Sequence, residues 1–127
     1  MKFHHIGIAC EEIPDSMEEI KKIYNVISTS PICYDPLQKS TLCLLSTDNG
    51  LSIELISGEM VKNIHKKGII YYHLCFSVPD IDIEFKRLIK QGLIPVSSPK
   101  SSLLFKGQKV GFLYSKCGLI ELLEDQV

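Results

Sequence analysis

The hydrophobic and polar positions of this chain follow the same order twice. His5 aligns with His73, and the apolar positions on either side of the two histidines coincide as well. After a slip of one residue, Glu54 aligns with Glu121. The matching segments are 3–28 with 71–96, 42–45 with 110–113, and 50–55 with 118–122. Self-similarity on this scale indicates two copies of one supersecondary unit.

Each copy predicts a strand followed by a helix. Segments 3–10 and 71–78 are rich in aromatic and β-branched residues, which favour strands. In the first copy, Ser16-Met17-Glu18-Glu19 has the form of a capping box and follows Pro14, so it predicts a helix start. In the second copy, the pattern predicts a helix that starts after Pro79-Asp80 and stops at Gly92. The apolar positions with helical spacing are 13, 17, 20 and 23 (or 24), then 81, 85, 88 and 89.

Each copy then predicts a hairpin. Thr47-Asp48-Asn49-Gly50 contains an Asn-Gly pair, which is a strong hairpin signal, and Ser115-Lys116-Cys117-Gly118 stands in the equivalent place. The hairpin strands are 41–46 with 51–56, and 109–114 with 119–123. The least regular segments, 29–40 and 97–108, are expected to form loops with one additional strand each, and 59–67 a short helical connector. This pattern predicts an α+β fold of two tandem βαβββ modules.

One domain spanning residues 1–127 accommodates both modules, because a chain of this length buries a sizeable core. The first module covers about 1–58, the connector 59–69, and the second module about 70–127. With 14 Lys+Arg against 15 Asp+Glu, the net charge is -1, which favours neither nucleic acid nor an anionic membrane as a partner. No apolar run approaches the ~20 residues of a membrane span.

The N-terminus lacks the apolar stretch of a secretory signal, which favours a cytoplasmic location. The five cysteines are odd in number and mostly lie in apolar runs, without a Cys-x-x-Cys pair. Reduced and mostly buried thiols are the simplest interpretation.

The candidate chemistry lies on one face of the predicted strands. Side chains alternate across a strand, so His5 shares its face with Gly7 and Ala9, and His73 shares its face with Cys75 and Ser77. These faces carry small residues, while the opposite faces carry large apolar residues on which helices can pack. Space beside an imidazole is a candidate binding pocket.

Glu54 and Glu121 lie in the middle of apolar strands, where a carboxylate is costly unless it is paired, hydrogen-bonded or bound to metal. A single strand histidine or glutamate is usually structural. Four such residues at equivalent places of a repeat favour one shared cation, with neutral imidazoles completing a mixed N/O site. His4 and His65 are interpreted as non-ligands.

The motifs Phe3-His4-His5-Ile6-Gly7-Ile8-Ala9, Ile53-Glu54-Leu55, Tyr72-His73-Leu74 and Gly118-Leu119-Ile120-Glu121-Leu122 resemble the vicinal-oxygen-chelate superfamily. Within it, they are most similar to methylmalonyl-CoA epimerase and glyoxalase I. The resemblance implies one cupped, eight-stranded mixed sheet with helices on its outer face, usually in a homodimer. It also implies one divalent metal ion (Ni, Co, Mn, Zn or Mg) with the ligands His5, Glu54, His73 and Glu121.

The implied activity is that of a metal-dependent isomerase or lyase. It removes a proton alpha to a carbonyl group of a small-molecule substrate, such as an acyl thioester, through a metal-bound enolate. Glu121 is the first choice for the general base, and Glu54 is the second carboxylate across the pseudo-twofold axis. The epimerase also has a second base outside the ligands, and segment 29–40 does not reveal which residue would take that role.

Several alternatives stay open within the same resemblance. Glyoxalase I, a lactoylglutathione lyase, is the first, but the places of its glutathione-binding Arg and Asn are taken by about Ala9 and Gly58-Glu59. Ring-cleaving dioxygenases use two histidines and one carboxylate, one carboxylate fewer than here. A non-enzymatic drug-binding protein of the bleomycin-resistance type usually lacks the ligands, and this chain has no Trp for an aromatic groove. A structural or regulatory domain with a relic site is the last.

Overall fold

The computed structural model describes residues 1–125. The chain divides into two compact units: the first comprises His5–Tyr72, and the second comprises Met1–His4 together with the chain from His73 onward. Each unit contains strands that pair both parallel and antiparallel, with helices against one face of the strands.

The first unit follows the order strand, helix, strands. Its elements are β1 (Lys2–Ala9, of which residues 2–4 belong to the second unit), α1 (Ile13–Ile23), β2 (Val26–Thr29), β3 (Cys33–Asp35), β4 (Ser40–Thr47), β5 (Ser52–Ser57) and α2 (Glu59–Lys66). The hydrogen-bonded order is β2-β4-β5-β1, and β3 also pairs with β4. β1 and β5 are parallel, while β4 is antiparallel to β2, β3 and β5.

The second unit repeats this plan. Its elements are β6 (Tyr71–Val78, which begins in the first unit), α3 (Ile81–Lys90), β7 (Ile94–Ser101), β8 (Lys109–Ser115) and β9 (Gly118–Glu124). The hydrogen-bonded order is β6-β9-β8-β7, in which β6 and β9 are parallel and the other pairs are antiparallel. The prediction of an α+β fold with βαβββ modules and a mixed sheet is therefore confirmed.

Each helix covers the apolar face of its strands. Ile13 and Ile20 of α1 pack in one core cluster with residues of β1, β4 and β5, and Phe85 and Leu88 of α3 pack with residues of β8 and β9. Of the two alternatives left open for the last position of the first stripe, Tyr24 packs against the core and Ile23 is exposed. In the second stripe, Ile89 differs from the prediction, because it is 40% exposed. The helices thus lie on the side opposite the histidine face.

The start of α1 corrects the sequence prediction. The helix begins at Ile13 with Glu12 as N-cap and without a side-chain cap, so Ser16 and Glu19 lie inside it and the capping box is not formed. Pro14 occupies the first turn, where its missing N–H removes no helical hydrogen bond and its fixed φ suits the helix. By contrast, α3 starts as predicted, because the Asp80 side chain accepts a hydrogen bond from Ile83 N–H, and Gly92 follows its end at a φ of 102°.

The two irregular segments also differ in part from the prediction. In the first unit, two additional strands pair with β4, whereas one was predicted. β2 (Val26–Thr29) ends where segment 29–40 begins, and β3 (Cys33–Asp35) lies within that segment. In the second unit, β7 begins at Ile94, ahead of the predicted segment 97–108. Pro95 and Pro99 lie within it, and its pairing with β8 shifts register. Proline cannot donate a hydrogen bond to a neighbouring strand, so residue propensities did not predict a strand that begins at Ile94.

The hairpins and the connector are as predicted. The turn between β4 and β5 has Gly50 at a φ of 86°, and Gly118 between β8 and β9 has a φ of 120°. α2 occupies residues 59–66 of the expected connector. Among the described residues, none of the helices has the length and apolarity that crossing a membrane requires.

Candidate functional site

In the first unit, His5 and Glu54 lie side by side at the parallel pair β1–β5. His5 Nε2 is 3.5 Å from Glu54 Oε1, and the two residues are 0% and 3% exposed. Gly7, two residues beyond His5, is the cross-strand partner of Glu54, so both side chains stand on one face of the sheet. That face is opposite the one that α1 covers, since the core cluster contains the alternate residues Ile53 and Leu55.

In the second unit, His73 and Glu121 form the same arrangement at the parallel pair β6–β9. His73 Nε2 is 3.1 Å from Glu121 Oε1, and the residues are 3% and 1% exposed. Cys75, two residues beyond His73, is the cross-strand partner of Glu121. The repeat found in the sequence therefore corresponds to one local geometry that is built twice.

Each pair fits two neighbouring ligands of one cation. Metal–nitrogen and metal–oxygen bonds in protein sites are about 2.0–2.2 Å long, so two ligand atoms at a right angle lie about 3 Å apart. The separations within the two pairs, 3.5 Å and 3.1 Å, are close to this value. The donor set also fits, because imidazole nitrogen with carboxylate oxygen is a combination that Zn, Ni, Co and Mn accept.

Two aromatic contacts bear on the histidines. The ring of Phe112 in β8 meets His73 edge-on, with centroids 5.5 Å apart, and Phe112 is the cross-strand partner of Glu121. Phe112 therefore restrains the His73 ring, a role that the sequence analysis missed. The available signal was strand alternation, which places Phe112 on the face opposite that of the core residue Leu113. His4, which the sequence analysis interprets as a non-ligand, is half-buried, and its ring centroid lies 5.5 Å from that of Phe105.

One more group shares the histidine face of the first unit. Cys33 in β3 pairs with Leu42, and Leu42 pairs with Ile56, which stands two residues beyond Glu54 on β5. Burial, and then the charges of Asp35, Cys43 and Glu54, raise the pKa of the Cys33 thiol. Of the five cysteines, Cys33 is half-buried, Cys117 is exposed and the other three are buried.

A family model matches residues 4–112, and it describes the glyoxalase/bleomycin resistance protein/dioxygenase superfamily. The match covers most of the chain and includes both histidines and Glu54. The chain belongs to this superfamily. The resemblance inferred from the sequence motifs is thereby confirmed at the level of the superfamily. No protein among those with curated functions matches the sequence significantly.

Solved structures with the same fold include two methylmalonyl-CoA epimerases. The enzyme from Mycobacterium tuberculosis superimposes with a TM-score of 0.83 at 20% identity, covering 99% of this chain and 89% of that chain. The enzyme from Streptomyces coelicolor, in complex with 2-nitronate-propionyl-CoA, gives 0.74 at 22% identity, covering 100% and 99%. A hypothetical protein from Bacillus halodurans gives 0.76 at 22% identity, covering 99% and 95%. At these identities the likeness establishes the fold.

Proposed function

We propose that this chain is a metal-dependent enzyme that removes and returns a proton alpha to the carbonyl group of an acyl thioester, as an epimerase does. The observation that carries the proposal is the doubled His/Glu pair. Four side chains that cost free energy to bury lie at equivalent places of two repeats, each pair on the face away from the helices. Likeness in fold to methylmalonyl-CoA epimerases supports the choice of substrate class.

His5, Glu54, His73 and Glu121 would together hold one divalent cation. When bound, the cation supplies Lewis-acid chemistry at the carbonyl oxygen of the substrate. Glu121 is the group that takes the alpha proton at a carboxylate oxygen, and Glu54 is the second carboxylate beside the reacting carbon. Neutral His5 and His73 contribute their Nε2 atoms as ligands, and Phe112 keeps the His73 ring in orientation.

Two local features argue against the glutathione substrate of glyoxalase I. Ala9, at the place of a glutathione-binding arginine, is 1% exposed and carries no charge. Gly58, which together with Glu59 stands at about the place of the asparagine, has a φ of 121°, and a Cβ there would lie 3.3 Å from the carbonyl oxygen of Lys39. A side chain larger than hydrogen would be strained at position 58. The lyase reading is therefore the second candidate.

Metal analysis followed by solvent-deuterium exchange tests the proposal. We expect the purified protein, loaded with metal, to exchange the alpha proton of methylmalonyl-CoA for deuterium, and to leave the hemithioacetal of glutathione and methylglyoxal almost unchanged. Glu121→Gln should suppress exchange by about 10²–10⁴-fold, since general acid–base catalysis contributes that much. Turnover of the hemithioacetal without exchange of methylmalonyl-CoA would make glyoxalase chemistry the better reading. A metal-replete protein inactive in both assays would favour the binding-protein alternative.

A homodimer is the expected active form. β7 is the terminal strand of its unit's order, and Ile94 and Val96 on it are 65% and 51% exposed. An exposed strand edge with apolar side chains is a surface that proteins usually cover. Sedimentation equilibrium at micromolar concentration tests this expectation, and a species with the mass of one chain, 14.3 kDa, would contradict it.

A further inference from the structure

A cleft opens in the first unit at the carboxyl ends of the parallel strands β1 and β5. Its volume is about 340 Å³, which lies at the lower end of the range for sites that bind small molecules. Cys10 forms part of its wall and belongs to the core cluster beneath α1, so the cleft borders the helix side of the strands. His5 and Glu54 stand on the opposite face, and the cleft is therefore separate from the candidate metal site.

Five of the side chains that line the cleft can carry a charge: Glu11, Glu59, Lys62, His65 and Lys66. Within residues 1–125, none of the five takes part in an ion pair. Lys62 and Lys66 are four residues apart on one face of α2, where like charges repel each other. A ligand of suitable charge would relieve this repulsion without displacing a partner inside the protein.

The two carboxylates share one end of the cleft. In the register of β1 and β5, Ala9 pairs with Ile56, and Cys10 N–H still donates to the carbonyl oxygen of Ile56. Continued by two residues, this register places Glu11 beside Gly58. Because Gly58 is the N-cap of α2, Glu59 directly follows it as the first residue of the helix.

The cationic side chains lie further along α2. At a rise of 1.5 Å per residue, Lys62 is about 4.5 Å and Lys66 about 10.5 Å beyond Glu59 along the helix axis. His65 belongs to the same last turn as Lys66. The cleft is therefore acidic at one end and basic at the other.

We propose that this cleft binds a small zwitterion, namely an amino acid whose ammonium and carboxylate groups are separated by a short apolar chain. The ammonium group lies at the end formed by Glu11 and Glu59, and the carboxylate lies against Lys62 and Lys66. The buried thiol of Cys10 donates to the carbonyl oxygen of Ile56 and offers the apolar chain an uncharged wall.

Ligands of a single charge fit this cleft less well. A pure anion would be repelled by the two glutamates, and a pure cation would be repelled by the two lysines. A metal ion would lack ligands as well, because the groups of described residues that could hold one include no residue of the cleft. Both ends of the cleft are satisfied together only when the ligand carries both charges.

The spacing of the two ends selects a probe. The middle of the lysine pair lies about 7.5 Å from Glu59 along the helix axis. An extended chain advances about 3.5 Å for every three bonds, so the six bonds from nitrogen to carboxylate carbon in 6-aminohexanoate span about 7 Å. Isothermal titration calorimetry of the full chain with 6-aminohexanoate should give one site per chain.

Two analogues separate this site from general charge attraction. Hexanoate and hexylamine each lack one charged end, and both should bind at least about tenfold more weakly, because a hydrogen bond to a charged group contributes that much. Chelation of any bound metal should leave the affinity for 6-aminohexanoate unchanged, because the cleft is separate from the His/Glu pairs. This result makes the test independent of the proposed function.

Substitutions of exposed residues test both ends. Lys62→Gln with Lys66→Gln should weaken binding by about tenfold or more, and so should Glu11→Gln with Glu59→Gln. Lys67→Gln is the matched control, because Lys67 is the C-cap of α2 and does not line the cleft. That variant should bind within about twofold of wild type, since exposed charges outside the site contribute little.

Nuclear magnetic resonance of the labelled chain locates the probe. The amide signals of Gly58 and Glu59 should shift during the titration with 6-aminohexanoate. Shifts confined to Gly7 and Glu54, on the histidine face, would overturn the assignment, and so would the absence of shifts at millimolar probe. Equal affinities for 6-aminohexanoate and hexanoate, or full affinity after both lysine substitutions, would overturn it too.

Discussion

Glu121 Oε1 lies 3.1 Å from His73 Nε2, and both side chains are almost entirely shielded from solvent. Desolvating a carboxylate costs several kcal/mol unless a partner compensates for it. A histidine offsets the desolvation cost of the carboxylate fully only when the imidazole is protonated. A metal cation offsets the same cost while the imidazole stays neutral. The same reasoning applies to His5 and Glu54, so the burial of both pairs supports the proposed metal site.

The first prediction concerns metal content and stability. Replacing His73 or His5 by Ala should reduce the metal content of purified protein from about one ion per chain to a trace, as measured by elemental analysis. Chelation of wild-type protein should lower its melting temperature by on the order of 10 °C, because a ligand at 100 times its Kd stabilises by about 2.7 kcal/mol.

His65→Ala is the matched control for this prediction. His65 lies in α2, outside both pairs, and is half-buried like many structural histidines. The variant should keep both the metal content and the shift in melting temperature on chelation. Full metal content in both His5→Ala and His73→Ala would show that the ion, if any, binds elsewhere.

A second prediction compares the two helix starts. Asp80→Ala removes the hydrogen bond from Ile83 N–H to the cap of α3 and should lower the free energy of unfolding by about 1 kcal/mol. Glu19→Ala removes the residue that a capping box in α1 would have used, and should change stability by less than about 0.5 kcal/mol. Urea denaturation of both variants measures the difference. Equal losses would indicate that α1 does use its capping box in solution.

The sequence predicted the proximity of a histidine and a glutamate in each unit better than it predicted the element boundaries, and the reason is physical. His5 and Glu54 are far apart along the chain, but parallel pairing of two apolar strands brings them together, and the repeat duplicates both residues. The start of α1 depends on Pro14, whose stereochemistry outweighed a plausible cap at Ser16. β7 carries two prolines and is held by its pairing with β8, a tertiary contact that a local pattern does not contain. Only strand register relates Cys33 to Glu54, so a local sequence pattern does not reveal that the two residues share a face.

A third prediction tests the close packing of α3 on β8. A Cβ at Gly111 would lie 3.0 Å from Phe85 Cε2 and 3.3 Å from Pro99 N, so Gly111→Ala should cost about 1–3 kcal/mol through overpacking. In a Phe85→Leu background the same substitution should cost less, since the aromatic edge is gone. A double-mutant cycle by urea denaturation should give a coupling of at least about 0.5 kcal/mol. Strict additivity would mean that the clash is relieved by movement of the backbone at Pro99.

The last prediction uses two buried thiols to set the pH dependence of stability. Burial is the main factor that raises the pKa of Cys10, which donates to the carbonyl oxygen of Ile56, and of Cys43, which donates to that of Ser30. An unfolded thiol loses its proton near pH 8.5, whereas these two keep theirs in the folded chain at that pH. The folded state then binds more protons, so its stability is fully present below about pH 8.5 and declines as the pH rises toward the folded pKa.

Between pH 8 and 9.5, the free energy of unfolding should fall by on the order of 1–2 kcal/mol, as two thiols each contribute up to about 1.4 kcal/mol per pH unit. Urea denaturation under reducing conditions measures this slope. The double substitution of Cys10→Ala and Cys43→Ala lowers stability at every pH because it leaves cavities. It should also flatten the dependence of the free energy of unfolding on pH, and this change is the observation that tests the prediction. Exposed Cys117 provides the control, and Cys117→Ala should keep the wild-type slope. If the double substitution keeps it too, the pH dependence belongs to other groups and the buried thiols ionise as easily in the folded chain as in the unfolded one.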